Sequence, residues 1–260
     1  MAVALEHLVV EDALPAAIIT LNRPDKLNAL SVALMRELIA ELERQGAREE
    51  VSVIVIRGAG RAFSAGHDLK ELVGRTLEEE RTIFRTCEKL MEAVQLAPQP
   101  VIASVHGIAT AAGCQLVAAC DLAVAAADAR FATNGIQNGI FCYTPMVPVS
   151  RAIGRKRALE MVLTGSFIDA QTAERWGLVN KVVAPEELDA EVMKLAAQIG
   201  SLSPLAVRTG KAAFYEQIDL PQSTAYELMT EAIASNALSE DAQEGMSAFL
   251  EKRKPSWRGR

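Results

Sequence analysis

A strand, a turn of very small residues and a helix follow one another between Pro100 and Asp121, and this stretch most constrains the fold. The apolar, β-branched run Pro100–Val105 is typical of a buried strand, and five small residues at 109–113 precede an apolar helical segment. Such a connection leaves backbone N–H groups free at the helix N-terminus, where they can stabilise negative charge on an oxygen atom. A close-packed turn without function fits the same residues, and both interpretations stay open at this point.

The composition disfavours several classes of protein. Half of the 260 residues are apolar, which is enough for a sizeable core. The net charge of −6 disfavours nucleic acid as a partner, and no apolar run is long enough to cross a bilayer. The N-terminal residues predict strands rather than a signal or transit peptide, so we expect a cytoplasmic protein with neither a nucleic-acid nor a membrane partner.

No metal site is expected from the cysteines and histidines. The cysteines lack the paired spacing of a zinc site, and the histidines do not cluster in the sequence. In a cytoplasmic chain of this size we expect free thiols. The residues concerned are Cys87, Cys114, Cys120, Cys142, His7, His67 and His106.

Strands and helices alternate over the first three quarters of the chain, which predicts an α/β protein, and the remainder is entirely helical. Strands are predicted at Leu8–Val10, Ala16–Leu21, Val51–Arg57, Pro100–Val105, Leu122–Ala127 and Leu178–Val183. Helices are predicted after Ser31, at Leu77–Leu96, at Ala152–Leu163 with Ser150 as the cap, at Asp169–Gly177, and then at Glu187–Ile199, Pro204–Glu216, Ser223–Leu238 and Glu240–Lys252. The helical region is too small to bury its own apolar faces, so we expect it to pack on the core and on neighbouring subunits.

Four segments together resemble the crotonase (enoyl-CoA hydratase/isomerase) family over essentially the whole chain. The segment Arg61–Leu72 is similar to the family's AF-x-AG-x-DL motif, and the other three are Asn22–Leu30, Gly107–Asp121 and Ala170–Val179. The resemblance implies a spiral of ββα units with two near-perpendicular sheets over residues 1–195. It also implies a C-terminal helical region over residues 196–260 that builds homotrimers or dimers of trimers.

The resemblance further implies that an acyl-CoA thioester is the substrate and that no cofactor is permanently bound. The thioester carbonyl would be polarised in an oxyanion hole formed by the backbone N–H groups of His67 and Ala112. For Asp68, capping of a loop or helix is at least as good an interpretation as ligand binding. The full set of implied substrate contacts is Lys26, Leu27, Ala65, Gly66, His67, Asp68, Leu69, Lys70 and Ala112.

The chain departs from similar hydratases at the two positions where those enzymes carry glutamates. Gln115 and Gly135 stand there, and no Asp or Glu occurs anywhere in Phe131–Pro145. An amide cannot exchange a proton at neutral pH, and each lost acid or base typically costs about 10²–10⁴ in rate. We therefore expect carbonyl polarisation to survive while hydration is weak or absent.

Other side chains near the predicted groove have ordinary interpretations. We expect His67 to have an ordinary pKa, which would suit base catalysis, although covering the coenzyme A is the favoured role for its imidazole. We expect Cys142 to be a buried thiol, Tyr143 a packed ring and His106 a hydrogen-bonded structural residue. Asp121 is expected to cap the turn that follows it.

Two functional hypotheses follow. The first is an acyl-CoA enzyme, nominally a hydratase of the lyase class in fatty acid metabolism, that carries out slow hydration, decarboxylation or thioester cleavage. The second is a non-catalytic acyl-CoA binder or oligomer partner. The altered positions resemble those of a subgroup called enoyl-CoA hydratase domain-containing proteins, notably Cys114-Gln115 and Phe131–Thr133.

Overall fold

The computed structural model describes residues 2–260, and in these residues helices surround a seven-stranded and a four-stranded sheet. The strands are β1 (Ala2–Ala4), β2 (Leu8–Ala13), β3 (Ala16–Leu21), β4 (Val53–Gly58), β5 (Ala62–Ser64), β6 (Val101–Val105), β7 (Ile108–Thr110), β8 (Leu122–Ala126), β9 (Arg130–Ala132), β10 (Ile168–Asp169) and β11 (Lys181–Val183). The helices are α1 (Val32–Gly46), α2 (Leu77–Leu96), α3 (Ala112–Ala119), α4 (Met146–Ile153), α5 (Arg155–Thr164), α6 (Ala170–Trp176), α7 (Leu188–Gly200), α8 (Pro204–Gln217), α9 (Gln222–Ala237) and α10 (Glu240–Leu250).

The larger sheet has the order β1-β2-β3-β4-β6-β8-β11, and the smaller sheet has the order β10-β9-β7-β5. Strands β3, β4, β6, β8 and β11 pair in parallel, which requires the helical crossovers between them. Side chains alternate across β4: Ile54 and Ile56 belong to the main core, while Val53 and Val55 pack in a second cluster that includes residues of α7. The central strands are therefore covered on both faces.

Several predicted helix boundaries are confirmed because the side chains that cap them are present. The Ser31 hydroxyl accepts from the Leu34 N–H at 3.2 Å, and Thr76 forms a capping box with Glu79 at the start of α2. Asp169 caps α6 in the same way. The observed bounds of α2 are those predicted.

The helix predicted over Ala152–Leu163 is wrong. Two helices, α4 and α5, occupy residues 146–164, and Gly154 separates them with a φ of 80° that interrupts the helical path. The Ser150 hydroxyl does not cap a helix but donates to the Val147 carbonyl within α4. The last predicted strand is also shorter than expected, because Leu178 and Val179 pack into the core instead of extending β11.

A partly buried ion pair fastens α8 to the core. The Lys211 ammonium lies 2.7 Å from the Asp121 carboxylate, which also accepts from the Tyr215 hydroxyl at 2.8 Å and the Val101 N–H at 2.6 Å. The predicted turn cap at Asp121 is therefore wrong: its carboxylate connects α8 to the start of β6. Burial holds the pKa of Lys211 below its ordinary value, although Asp121 opposes that shift.

The C-terminal helices carry many exposed apolar side chains. Among the described residues, none of those in helix α9 is buried, and Phe249 and Leu250 of α10 are each about four-fifths exposed. The boundary predicted between residues 195 and 196 lies inside α7, and the division into two regions remains a prediction. Within residues 2–260, every helix is too short or too polar to cross a membrane.

Candidate active site

One cavity of about 470 Å³ contains both residues of the predicted oxyanion hole on its wall. Four parts of the chain supply the wall: the loop after β5, helix α2, the start of α3 and the segment 134–145. The residues are Ala65, His67, Leu69, Leu72, Phe84, Ala111, Ala112, Asn134, Gly135, Asn138, Ile140, Phe141, Cys142, Tyr143, Thr144 and Pro145. The cavity is large enough for a small-molecule site.

The backbone of His67 is held by a parallel bridge to Leu30. The Leu30 N–H donates to the Gly66 carbonyl at 2.8 Å, and the Asp68 N–H donates to the Leu30 carbonyl at 3.3 Å. In this pairing, the residue between the two bonds has its own N–H turned away from the partner strand. The His67 amide is therefore free for another acceptor.

The amide of Ala112 is free for a different reason. Ala112 is the first residue of α3, and the first N–H groups of a helix have no acceptor within it. The preceding residue, Ala111, has a φ of 48° and a ψ of −117°, a sparsely populated conformation for a residue with a Cβ. The Ala111 N–H donates to the Ala132 carbonyl at 2.9 Å, which anchors this strained turn to β9.

Small residues bring the two amide-bearing segments into backbone contact. Gly66 has a φ of 92°, and a Cβ built on it would lie 2.9 Å from the Thr110 carbonyl oxygen and 3.2 Å from the Ala112 nitrogen. A Cβ on Gly113 would lie 2.3 Å from the Ser64 carbonyl oxygen. These approaches exclude side chains, which explains why the motifs around both amides contain glycine.

The side chain of His67 is unlike an ordinary surface histidine. Both ring nitrogens are buried without a hydrogen-bond partner, and the ring packs edge-on against Phe84 with centroids 5.3 Å apart. Burial lowers the pKa of His67 to about 4. The expectation of an ordinary pKa is therefore wrong: the imidazole is neutral at pH 7 and a weak base.

The two positions without glutamates have different surroundings. Gln115 is buried in α3, where its Oε1 lies 3.7 Å from the Cys87 sulfur, and it is not among the wall residues. Gly135 does lie on the wall, and a Cβ there would come within 2.6 Å of the Ile140 carbonyl oxygen. The loop that follows Gly135 therefore packs against the place where a side chain would begin.

Only some of the residues that the resemblance implies as coenzyme A contacts lie on the cavity wall. Ala65 and Leu69 are wall residues, whereas the rest of this group lies outside the wall. Asp68 is paired with Arg23 at 2.9 Å and accepts from the Lys70 N–H, an arrangement that fits the capping interpretation. The residues outside the wall are Lys26, Leu27, Gly66, Asp68 and Lys70.

Sequence reasoning missed Arg23 as the residue that ties the loop before α1 to the loop after β5. Its guanidinium also donates to the Ala29 carbonyl at 2.7 Å. Phe84 was missed as well, because on α2 it has the same apolar spacing as the core residues. Its position beside the His67 ring could not be found without the fold.

The neighbouring side chains follow the predictions except at Tyr143. Cys142 is buried, and His106 Nε2 lies 2.8 Å from the Gly60 carbonyl oxygen, as expected. Tyr143 is 68% exposed, so the predicted packed ring is wrong, although the ring does contact Phe141 at a centroid distance of 4.9 Å.

The two sheets, the small-residue turn and the cavity with two free amides belong to a known class of protein. The chain matches the Enoyl-CoA hydratase/isomerase family over residues 15–260 and belongs to that family. Its fold is the crotonase fold: a crystal structure of enoyl-CoA hydratase from Mycobacterium smegmatis superposes with a TM-score of 0.95 at 47% identity, covering 97% of this chain and 99% of that one.

Two relatives confirm the subgroup. Enoyl-CoA hydratase domain-containing protein 3, mitochondrial, from Mus musculus is 47% identical over 242 residues, which are 92% of this chain and 80% of the relative. The crystal structure of the human domain-containing protein 3 has a TM-score of 0.95 at 44% identity, covering 97% of this chain and 100% of that one. The cytoplasmic location predicted from the sequence is contradicted by the mouse relative and its rat and human counterparts, all three of which are named mitochondrial.

Proposed function

We propose that this chain binds acyl-CoA thioesters in the 470 Å³ cavity and polarises the thioester carbonyl between the N–H groups of His67 and Ala112. The observation that carries the proposal is that both residues lie on one cavity wall, with amides that neither the bridge to Leu30 nor α3 uses. Two preorganised donors in a site sheltered from water stabilise charge on an oxygen, and each is worth about 10²–10³ in rate.

Hydration is expected to be slow, because the cavity lacks acid and base groups. None of the described wall residues carries a carboxylate, and Gln115 and Gly135 stand where similar hydratases have glutamates. His67 does not replace them, since a base with a pKa of about 4 accepts protons poorly at pH 7. Each absent acid or base lowers the rate by about 10²–10⁴.

The coenzyme A part of the ligand is proposed to lie over the residues implied by the resemblance. Lys26 and Lys70 are exposed cations beside the cavity loops and are suited to the phosphates of coenzyme A. The exposed apolar faces of α8–α10 support a homotrimer or a dimer of trimers. Light scattering of the purified chain measures the assembly directly.

A second candidate function is acyl-CoA binding without turnover. The observation that favours it is the state of the polar groups at the site: the His67 ring nitrogens are buried and unpartnered, and Gln115 lies off the wall. Such a site holds a carbonyl without supplying a proton to the carbon next to it. Both candidates bind the acyl-CoA and polarise its carbonyl, so they differ only in whether the bound acyl-CoA is converted to product.

The test combines binding with a hydration assay. We expect hexanoyl-CoA to bind more tightly than coenzyme A, and crotonyl-CoA to be hydrated far more slowly than the roughly 10 s⁻¹ typical of enzymes. Native turnover near that value, or no acyl-CoA binding, contradicts the proposal.

The variant Gln115→Glu, with Gln198→Glu on an exposed face of α7 as the matched control, decides between the candidates. Measurable hydration by the native chain supports the enzyme, whereas binding without native turnover, together with a gain in hydration confined to Gln115→Glu, supports the non-catalytic binder. Retained binding with no turnover in any form supports the non-catalytic binder. Gly135→Glu is unsuitable as a restoring variant, because its Cβ would clash with the Ile140 carbonyl.

A further inference from the structure

We propose that the cavity selects an uncharged acyl group and rejects an acyl group that ends in a carboxylate. This inference rests on the proposed function, since it takes the cavity as the place where the acyl part of the thioester binds. It concerns the chemistry of the wall, which is independent of whether the bound thioester reacts.

The wall is apolar or neutral throughout. Within the described part of the chain it contains no Asp, Glu, Lys or Arg, and its polar side chains are mostly amides and hydroxyls. The apolar contributors are Leu69, Leu72, Phe84, Ile140, Phe141 and Pro145. An isolated carboxylate moved from water into such surroundings loses its hydration without gaining a partner, and this loss is far larger than that of a methyl group.

The titratable groups on the wall do not supply a counter-ion. His67 is neutral at pH 7, because burial lowers its pKa to about 4. Burial raises the pKa of the Cys142 thiol, which also stays neutral. Neither side chain can therefore form an ion pair with a bound carboxylate at neutral pH.

The cations close to the wall are engaged or face solvent. The Arg23 guanidinium is paired with Asp68 and the Ala29 carbonyl, so it is not free to turn toward a ligand. Arg85 follows Phe84 on α2, but its side chain is 66% exposed and lies near Glu78. The charge pattern therefore leaves the inner part of the cavity without a positive partner for a carboxylate.

The backbone of segment 134–145 also helps to keep charged side chains off the wall. It supplies nine of the sixteen wall residues, and its loop closes on Gly135 through a hydrogen bond of 3.1 Å from the Ile140 N–H to the Gly135 carbonyl. A Cβ at 135 would lie 2.6 Å from the Ile140 carbonyl oxygen, so a side chain there would require this loop to move. The feature that removes a carboxylate from the wall thus also shapes the pocket around an apolar group.

Isothermal titration with coenzyme A, hexanoyl-CoA and adipoyl-CoA tests the inference, because the last two have the same chain length and differ by a terminal carboxylate. We expect hexanoyl-CoA to bind at least tenfold more tightly than adipoyl-CoA, and adipoyl-CoA to bind no better than coenzyme A. Equal binding of the two acyl-CoAs overturns the inference while leaving the proposed function standing. Failure of hexanoyl-CoA to exceed coenzyme A defeats the proposed function, and the inference with it.

The variant Ile140→Arg places a cation at the rim of the wall, where the native side chain is partly exposed. We expect it to narrow the preference for hexanoyl-CoA over adipoyl-CoA by at least threefold. Leu163→Arg makes the same kind of change on an exposed position of α5, outside the cavity wall, and should leave the preference unchanged. Equal effects of the two variants contradict the inference.

Discussion

Asp121, Lys211 and Tyr215 form what we call the Asp121 cluster. This cluster and the candidate cavity both bury polar groups, but the hydrogen bonding of those groups differs. Both Asp121 carboxylate oxygens have partners, Lys211 and Tyr215 among them. At the cavity, both ring nitrogens of His67 lack a partner, and so does the buried hydroxyl of Thr133, which precedes the wall residue Asn134 in the chain. Because buried polar groups are usually hydrogen-bonded, the fully partnered cluster is typical of a structural connection, whereas these groups at the cavity form no such connection.

The largest effect is expected when the Asp121 cluster is broken. Lys211→Met leaves a partly buried carboxylate without its cation, so we expect a loss of about 3–5 kcal/mol in the free energy of unfolding, measured by urea denaturation. The Lys211 side chain is only 7% exposed. Lys181→Met removes an exposed partner of Glu191 and should cost about 0–1 kcal/mol. If Lys211→Met lowers the free energy of unfolding no more than Lys181→Met does, the Asp121 cluster is not an important structural connection.

A smaller effect is expected at the cavity wall from Gly135→Ala. The added Cβ meets the Ile140 carbonyl oxygen at 2.6 Å, so the loop must move, and we expect a destabilisation of about 1–3 kcal/mol. Gly210→Ala in α8 adds the same methyl group where nothing lies within 4 Å. There the reduced freedom of the unfolded chain should stabilise the protein by about 0.4–1 kcal/mol. If Gly135→Ala leaves the thermal unfolding temperature unchanged, the Ile140 carbonyl does not pack against Gly135 as closely as the structure shows.

The pH dependence of stability sharpens the contrast at His67. Its pKa is about 4 when folded and about 6.5 when unfolded, so the unfolded state binds the extra proton as the pH falls through that interval. Stability from this group is complete above about pH 6.5 and is lost progressively toward pH 4. We expect the native chain to lose about 2 kcal/mol more than His67→Gln between pH 7 and pH 5 in denaturant titrations. Parallel pH curves would show that the ring is not desolvated.

Much of the fold follows from local sequence signals, since caps and strand patterns act over a few residues. Ser31, Thr76 and Asp169 begin helices where polar caps precede apolar periodicity. The break at Gly154 was missed, because apolar spacing continues across it and only the positive φ interrupts the helix. Asp121 was misread, because its partner Lys211 lies ninety residues further along the chain.

The site was predictable where a motif fixes the backbone and unpredictable where burial decides the chemistry. The resemblance to the family's motifs predicted that His67 and Ala112 act together, and both residues lie on one cavity wall. The pKa of His67 depends on Phe84 and the surrounding core, which no spacing in the sequence reveals. The closure of the loop on Gly135 likewise depends on tertiary packing.

Polarisation of a thioester carbonyl by the His67 and Ala112 amides can be measured from the absorption of bound 4-(dimethylamino)cinnamoyl-CoA. The absorption of this conjugated thioester moves to longer wavelength when hydrogen bonds draw charge onto its carbonyl oxygen. His67→Gln keeps the backbone N–H, whereas His67→Pro removes it, so the two variants form a matched pair.

We expect a shift to longer wavelength in the native protein and in His67→Gln, and loss of that shift in His67→Pro. Binding of the thioester to the native protein without a shift would contradict polarisation of the carbonyl by these amides. A shift in folded His67→Pro equal to that in His67→Gln would contradict it as well.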